Sequence, residues 1–205
     1  MLRRTKQARF TVLLPLLLIL VTVGSGGRLR ASDSIGLAGA ETLPLLRIDP
    51  TLSLVSIGGT ACADVRVEDV QNLFAFETVI RFDPARVHVV DAHPATPGVQ
   101  VIIGPFLEPQ TPGNWYVINA ADNTAGTIRI AITRLSPESG ASGSGILATI
   151  CLQGVNRGHT YLTFSDMATL MLDPYVSFVP FSMKSSGAIV GPVQRHRIPI
   201  VARGF

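Results

Sequence analysis

Helical periodicity is what this sequence most conspicuously lacks. No segment sustains the three- and four-residue apolar spacing of an amphipathic helix, which leaves an all-β reading. Charge is sparse at 15% of residues, and the acidic side chains are scattered, whereas a glycosidase needs two carboxylates in one cleft. The four histidines (His88, His93, His159 and His196) never stand at metal-ligand spacing from one another or from a cysteine. No Gly-x-Ser-x-Gly elbow leads from a strand into a helix, and no Asp-x-Asp-x-Asp-Gly loop is offered to calcium. Gly140, Gly143 and Gly145 lack the following helix that a phosphate cradle needs, so they read as a hairpin turn. These absences argue against an enzyme, a metal centre and a resident cofactor.

The basic residues are unevenly placed. Arg3, Arg4, Lys6 and Arg9 precede a 14-residue apolar run, Phe10–Val23, and the small residues Gly24, Ser25, Gly26 and Gly27 follow it. That order is the pattern of a secretory signal peptide, expected over residues 1–27. The run is shorter than the roughly 20 residues of a spanning helix, and Pro15 interrupts it. Removing those four of the 17 basic residues leaves 13 against 14 acidic ones, a net charge of −1. A nucleic-acid partner then has no compositional support. The expected product is secreted, either extracellular or at the cell surface, with no membrane span after cleavage.

The rest divides into a Gly/Ala/Ser-rich linker at 28–44, one domain at 45–191 and a short basic-then-apolar tail at 192–205. The clearest strand lies in Leu73–Phe82. Phe74, Phe76, Thr78, Ile80 and Phe82 alternate with Leu73, Ala75, Glu77, Val79 and Arg81, the period of two of a strand with one buried face. Asp83-Pro84 ends it, because proline cannot donate to the ladder. Further short strands are predicted at 45–48, 52–57, 61–67, 87–92, 99–103, 115–120, 127–134, 145–152, 160–164 and 188–190. Turn residues separate them, including the stretch Ser136 to Gly145. Many short strands at this spacing predict a β-sandwich of jelly-roll topology.

Two cysteines, Cys62 and Cys151, sit in two of these strands, each on the face opposite its strand's more apolar set. They read either as a disulfide across neighbouring strands or as two unpaired small hydrophobes. Trp115 and Tyr116 follow the turn Pro112-Gly113-Asn114 and are the candidate carbohydrate-stacking rings. As adjacent strand residues they point to opposite faces and cannot form one platform. Trp115 therefore reads first as a core or core-capping residue.

The run Ser56–Ala92 resembles the opening third of a cohesin domain. The resemblance rests on Gly58-Gly59, the valine strand with Val65 and Val67, Asn72-Leu73, Phe76, Phe82-Asp83-Pro84, and Val87, Val89 and Val90. IRIAITRL (Ile128–Leu135), ASGSG (Ala141–Gly145), ILATICL (Ile146–Leu152) and TYLTF (Thr160–Phe164) continue it in order. Ala75 departs from it, standing where a glycine or polar residue is common. The resemblance implies a single jelly roll of about nine strands, related to carbohydrate-binding modules. Its function would be non-catalytic docking of dockerin modules, whose helix pair depends on calcium, in extracellular polysaccharide degradation. It also implies neighbouring Cys62 and Cys151 strands, hence the disulfide, and docking through outward Ala75, Glu77, Val79, Arg81, Arg129, Ala131 and Thr133, with Glu77 at an acidic dockerin-facing position. Direct polysaccharide binding through Trp115 and Tyr116, or a structural surface scaffold, is the other reading.

Overall fold

Alternation along the chain becomes two packed sheets. A computed structural model describes residues 42–192. The expected signal peptide, linker residues 28–41 and tail residues 193–205, with His196, lie outside the described residues. The strands are β1 (Leu45–Asp49), β2 (Leu52–Val55), β3 (Thr60–Leu73), β4 (Ala75–Arg81), β5 (Val87–Val89), β6 (Ile102–Ile103) and β7 (Trp115–Asp122). They continue with β8 (Thr127–Arg134), β9 (Ala141–Gly154), β10 (Gly158–Phe164), β11 (Leu170–Leu172), β12 (Ser182–Lys184) and β13 (Ser186–Val190). One sheet runs β12-β1-β3-β9-β5, with β6 also on β9. The other runs β2-β13-β10-β4-β8-β7, with β11 also on β4.

Alternation in burial follows alternation in sequence. Along β4, Phe76, Thr78 and Ile80 are buried, and Ile128, Ile130 and Ile132 of β8 lie directly beside them. Val65, Val67, Ala148, Ile150 and Leu152 supply the facing layer from β3 and β9. Thr78 is the polar member of this core, and its hydroxyl is satisfied by Thr169 Oγ1 at 2.8 Å, which in turn donates to the Ser165 carbonyl. A buried hydroxyl so paired escapes the cost of lost hydration.

Several expectations are corrected. The predicted strand Leu73–Phe82 is divided. β3 runs on to Leu73, and β4 starts at Ala75 after a break at half-buried Phe74. The cause is a pair of bulges, where Asp69 and Asn72 take positive φ and the β3–β9 register shifts. The Gly-Ser stretch is not a hairpin turn. Ala141–Gly145 already belongs to β9, where Gly143 adopts φ +109° and Gly145 lies under the Phe106 ring, which a Cβ would strike. Among the described residues there are thirteen strands rather than about nine, because short β11 and β12 join the eleven segments predicted from alternation.

Cys62 and Cys151 are directly opposed on β3 and β9, with a Cα–Cα distance of 4.0 Å, and form a disulfide. The bridge lies on the outer surface of the first sheet, where Cys62 is exposed.

Candidate docking face

The outer surface of the second sheet is built from the residues that alternate with its core. Registry places them in transverse rows. Tyr116 of β7, Thr133 of β8, Ala75 of β4 and Leu172 of β11 form one row. Ile118, Ala131, Glu77 and Leu170 form the next, and Ala120, Arg129 and Val79 the third. Asp122, Thr127, Arg81 and Thr163 follow. All seven candidate docking residues therefore share one surface. Ala75, Glu77, Val79, Ala131 and Thr133 are half-buried, and Arg81 and Arg129 are exposed.

Small side chains on β4 and β8 between larger ones on β7 and β11 give the first two rows of this surface the outline of a shallow trough. Its floor is small at Ala75, Ala131 and Thr133, while Tyr116 and Ile118 rise on one side and Leu170 and Leu172 on the other. The walls are three strand spacings apart, about 14 Å. Arg129 Nη2 reaches diagonally to Glu77 Oε1 at 2.9 Å and places one ion pair on an otherwise apolar stretch. Such an exposed pair contributes little to stability, about 0–1 kcal/mol, but fixes two opposite charges at known positions. Ile118, Leu170 and Leu172 went unassigned in the sequence, because only pairing registry shows that they share the face. Tyr116, considered there for sugar stacking, belongs to the same wall.

Trp115 and Tyr116 do point to opposite sides. Trp115 is half-buried against the core and edges a cleft of about 130 Å³ with Glu108, Pro109, Pro112 and Gly113, whereas Tyr116 is 62% exposed on the trough side. Loops at the two ends of β7 are held by carboxylates. Glu138 accepts from the Gln110 and Thr111 amides, and Asp122 from those of Thr124 and Ala125. These hydrogen bonds hold both carboxyls below their ordinary ranges, led by Thr111 for Glu138 and by Ala125 for Asp122. Arg134 is buried, and its guanidinium donates to the carbonyls of Leu107, Glu108 and Ser139, tying two loops to the end of β8. Among the described residues no three His, Cys, Asp or Glu side chains gather to hold a metal ion.

Comparison with known proteins assigns the fold. No family model matches the sequence, and no curated protein matches it. Solved structures do. A type II cohesin domain from the cellulosome of Acetivibrio cellulolyticus aligns with a TM-score of 0.58 at 14% identity, over 72% of this chain and 94% of that one. A non-cellulosomal cohesin from the archaeon Archaeoglobus fulgidus aligns with a TM-score of 0.54 at 13% identity, over 75% and 94%. The cohesin of a type I cohesin–dockerin complex from Clostridium thermocellum gives 0.56 at 11% identity, over 73% and 100%. The fold is a cohesin-like jelly roll.

Proposed function

We propose that the protein is a secreted, non-catalytic docking module whose β4–β8–β7 face receives a partner protein. The observation that carries this reading is the trough itself, with a small-residue floor, apolar walls and the single crossed pair Glu77–Arg129. An α-helix with its side chains is about 10–12 Å across, so one helix laid along β4 and β8 fills the space between the walls. Apolar contacts along the floor supply affinity, and the Glu77 and Arg129 charges fix register. Similar folds occur in complexes with dockerins, so the partner we infer is a dockerin-bearing enzyme of extracellular polysaccharide degradation. Calcium, where required, belongs to that partner.

The test is a capture experiment on secreted proteins, run with calcium and with EDTA, using the wild type and Ala131→Trp. The reading expects calcium-dependent capture of a dockerin-bearing protein, weakened at least about tenfold by the indole on the trough floor. Unchanged affinity in the variant moves the site elsewhere. Sedimentation with cellulose or chitin, without protein capture, favours direct sugar binding and makes Trp115 the next residue to substitute. If the protein captures neither, it is a structural scaffold.

A further inference from the structure

The edges of this sandwich are treated unequally. On the side of β5, β6 and β7, two asparagine side chains stand in for missing strands. Asn123 accepts from the Val89 amide and donates to its carbonyl, at 2.7 and 3.0 Å. Asn119 does the same for Val101, at 2.9 and 2.7 Å. The Val99 carbonyl accepts from Ala121 at 2.7 Å, which further covers β7. On the opposite side β12 carries Lys184, a charge of the kind that deters edge pairing. β2 has no such guard among the described residues, and Leu52–Val55 contains neither charge nor proline.

Its free groups can be identified. Thr51 and Val55 accept through their carbonyls from Gly187 and Gly191 of the parallel neighbour, so the odd-numbered residues face β13. Leu52 and Leu54 therefore turn their amides and carbonyls to the open edge, and their side chains are 51% and 74% exposed. Between them Ser53 is buried, and its hydroxyl has no hydrogen-bond partner, a costly arrangement for a group that water would otherwise satisfy.

We propose that β2 pairs antiparallel with β2 of a second copy of this chain about a two-fold axis through Ser53. Side-chain parity supports this register, because a leucine must oppose a leucine on the outer face, which places Leu52 against Leu54 of the second copy. The same register opposes the outward-turned backbone groups, so each leucine pair exchanges both ladder hydrogen bonds. The two Ser53 residues become the intervening non-hydrogen-bonded pair, with Cα atoms about 4.5 Å apart, within reach for the orphaned hydroxyls to satisfy each other. The contact is isologous and closes as a dimer. Because the axis stands perpendicular to the sheet, both troughs face the same way. Seven strand spacings separate the two β4 strands, about 34 Å, a geometry suited to two-point binding of a tandem partner. The pairing itself does not depend on the docking reading.

The test is sedimentation velocity on the full chain purified after export, up to about 100 µM, for the wild type, Leu52→Lys/Leu54→Lys and Ser53→Ala. A concentration-dependent dimer is expected. In the double variant like charges oppose each other across the edge, and dimerisation weakens at least about tenfold with an unchanged monomer circular dichroism spectrum. Ser53→Ala weakens the dimer while the monomer melts at the same temperature or higher, since an unsatisfied hydroxyl is removed. A wild type that stays monomeric, or a dimer unmoved by either variant, overturns the proposal. Slow exchange of the Leu52 and Leu54 amides in a monomer also overturns it and assigns the edge to the chain's own residues outside 42–192.

Discussion

Removing the disulfide gives the sharpest check on how this domain is held together. The bridge joins β3 to β9 across a sequence separation of 89 residues and encloses β4 through β8. In the chain-entropy account it acts on the unfolded ensemble, and a loop of that length corresponds to about 4–5 kcal/mol at 25 °C. The folded state has little to lose locally, because Cys62 is exposed and the β3–β9 ladder extends from Thr60–Gln153 to Leu73–Ala141 without help from sulfur. Cys62→Ala/Cys151→Ala should therefore keep a native far-UV circular dichroism spectrum at 25 °C. For a domain of this size each kcal/mol corresponds to about 2–4 °C, so its melting midpoint should fall by about 8–20 °C. Partner capture at 25 °C should be unaffected, since the bridge and the trough lie on different sheets. Calorimetry of the purified double variant beside the wild type is the measurement. A midpoint lowered by less than about 4 °C would refute the reasoning and mean that the unfolded chain gains little freedom when the crosslink is cut.

Two further predictions concern the loops around the trough. Arg134→Ala leaves three carbonyls without their donor and removes a buried cation, and should cost about 2–4 kcal/mol in denaturant unfolding. Arg134→Lys should recover only part of this, because an ammonium cannot reach three divergent acceptors, and full recovery would refute the fork geometry. The second follows from Glu138. A carboxyl whose pKa is depressed by folding stabilises the fold above its unfolded value, and that contribution is lost as pH falls through its folded value. The Gln110 and Thr111 amides should therefore keep their protection through the ordinary glutamate range and lose it only as pH falls below that range, while Glu138→Gln exchanges them readily at neutral pH. Amide exchange followed by NMR reads both, and pH-independent protection would refute the cap.

What the sequence revealed depended on the range of the interactions involved. The alternation of Phe76, Thr78 and Ile80 with Glu77 and Val79 was legible because burial on one face of a strand is a local pattern. The candidate docking residues on β4 and β8 followed from it by resemblance, but their arrangement in rows did not. Registry between β4 and β11, nearly a hundred residues apart, leaves no local trace. Glycines misled for a physical reason. Gly143 and Gly145 are as suited to a bulged strand crossed by an aromatic ring as to a turn, and composition alone cannot separate the two. Strands β11 and β12 are three residues each, too short for any period to register. Nothing local marks Arg134 as buried, because the carbonyls around it come from loops folded back by other contacts.

The two sheets divide the work of the fold. The first carries the longest ladder and the disulfide, and its edge strand β5, together with Val101 beside β6, is sealed by asparagines reaching over from the second. The second sheet is thereby anchored along its β7 side, and its outer face is free of covalent or capping duties. That freedom explains why Glu77 and Arg129 pair only with each other among the described residues. An exposed pair of this kind is nearly neutral to stability, so stability gives no reason for two charges among Ala131, Val79 and Ile118. Recognition does. A partner that buries the trough must supply groups complementary to both charges, and one that cannot leaves them desolvated and imperfectly matched, which penalises wrong registers by more than right ones gain. Replacing both with methionine should accordingly leave the melting midpoint within about 2 °C while broadening the range of proteins the face retains. Unchanged selectivity in Glu77→Met/Arg129→Met would mean that the pair does not read the partner.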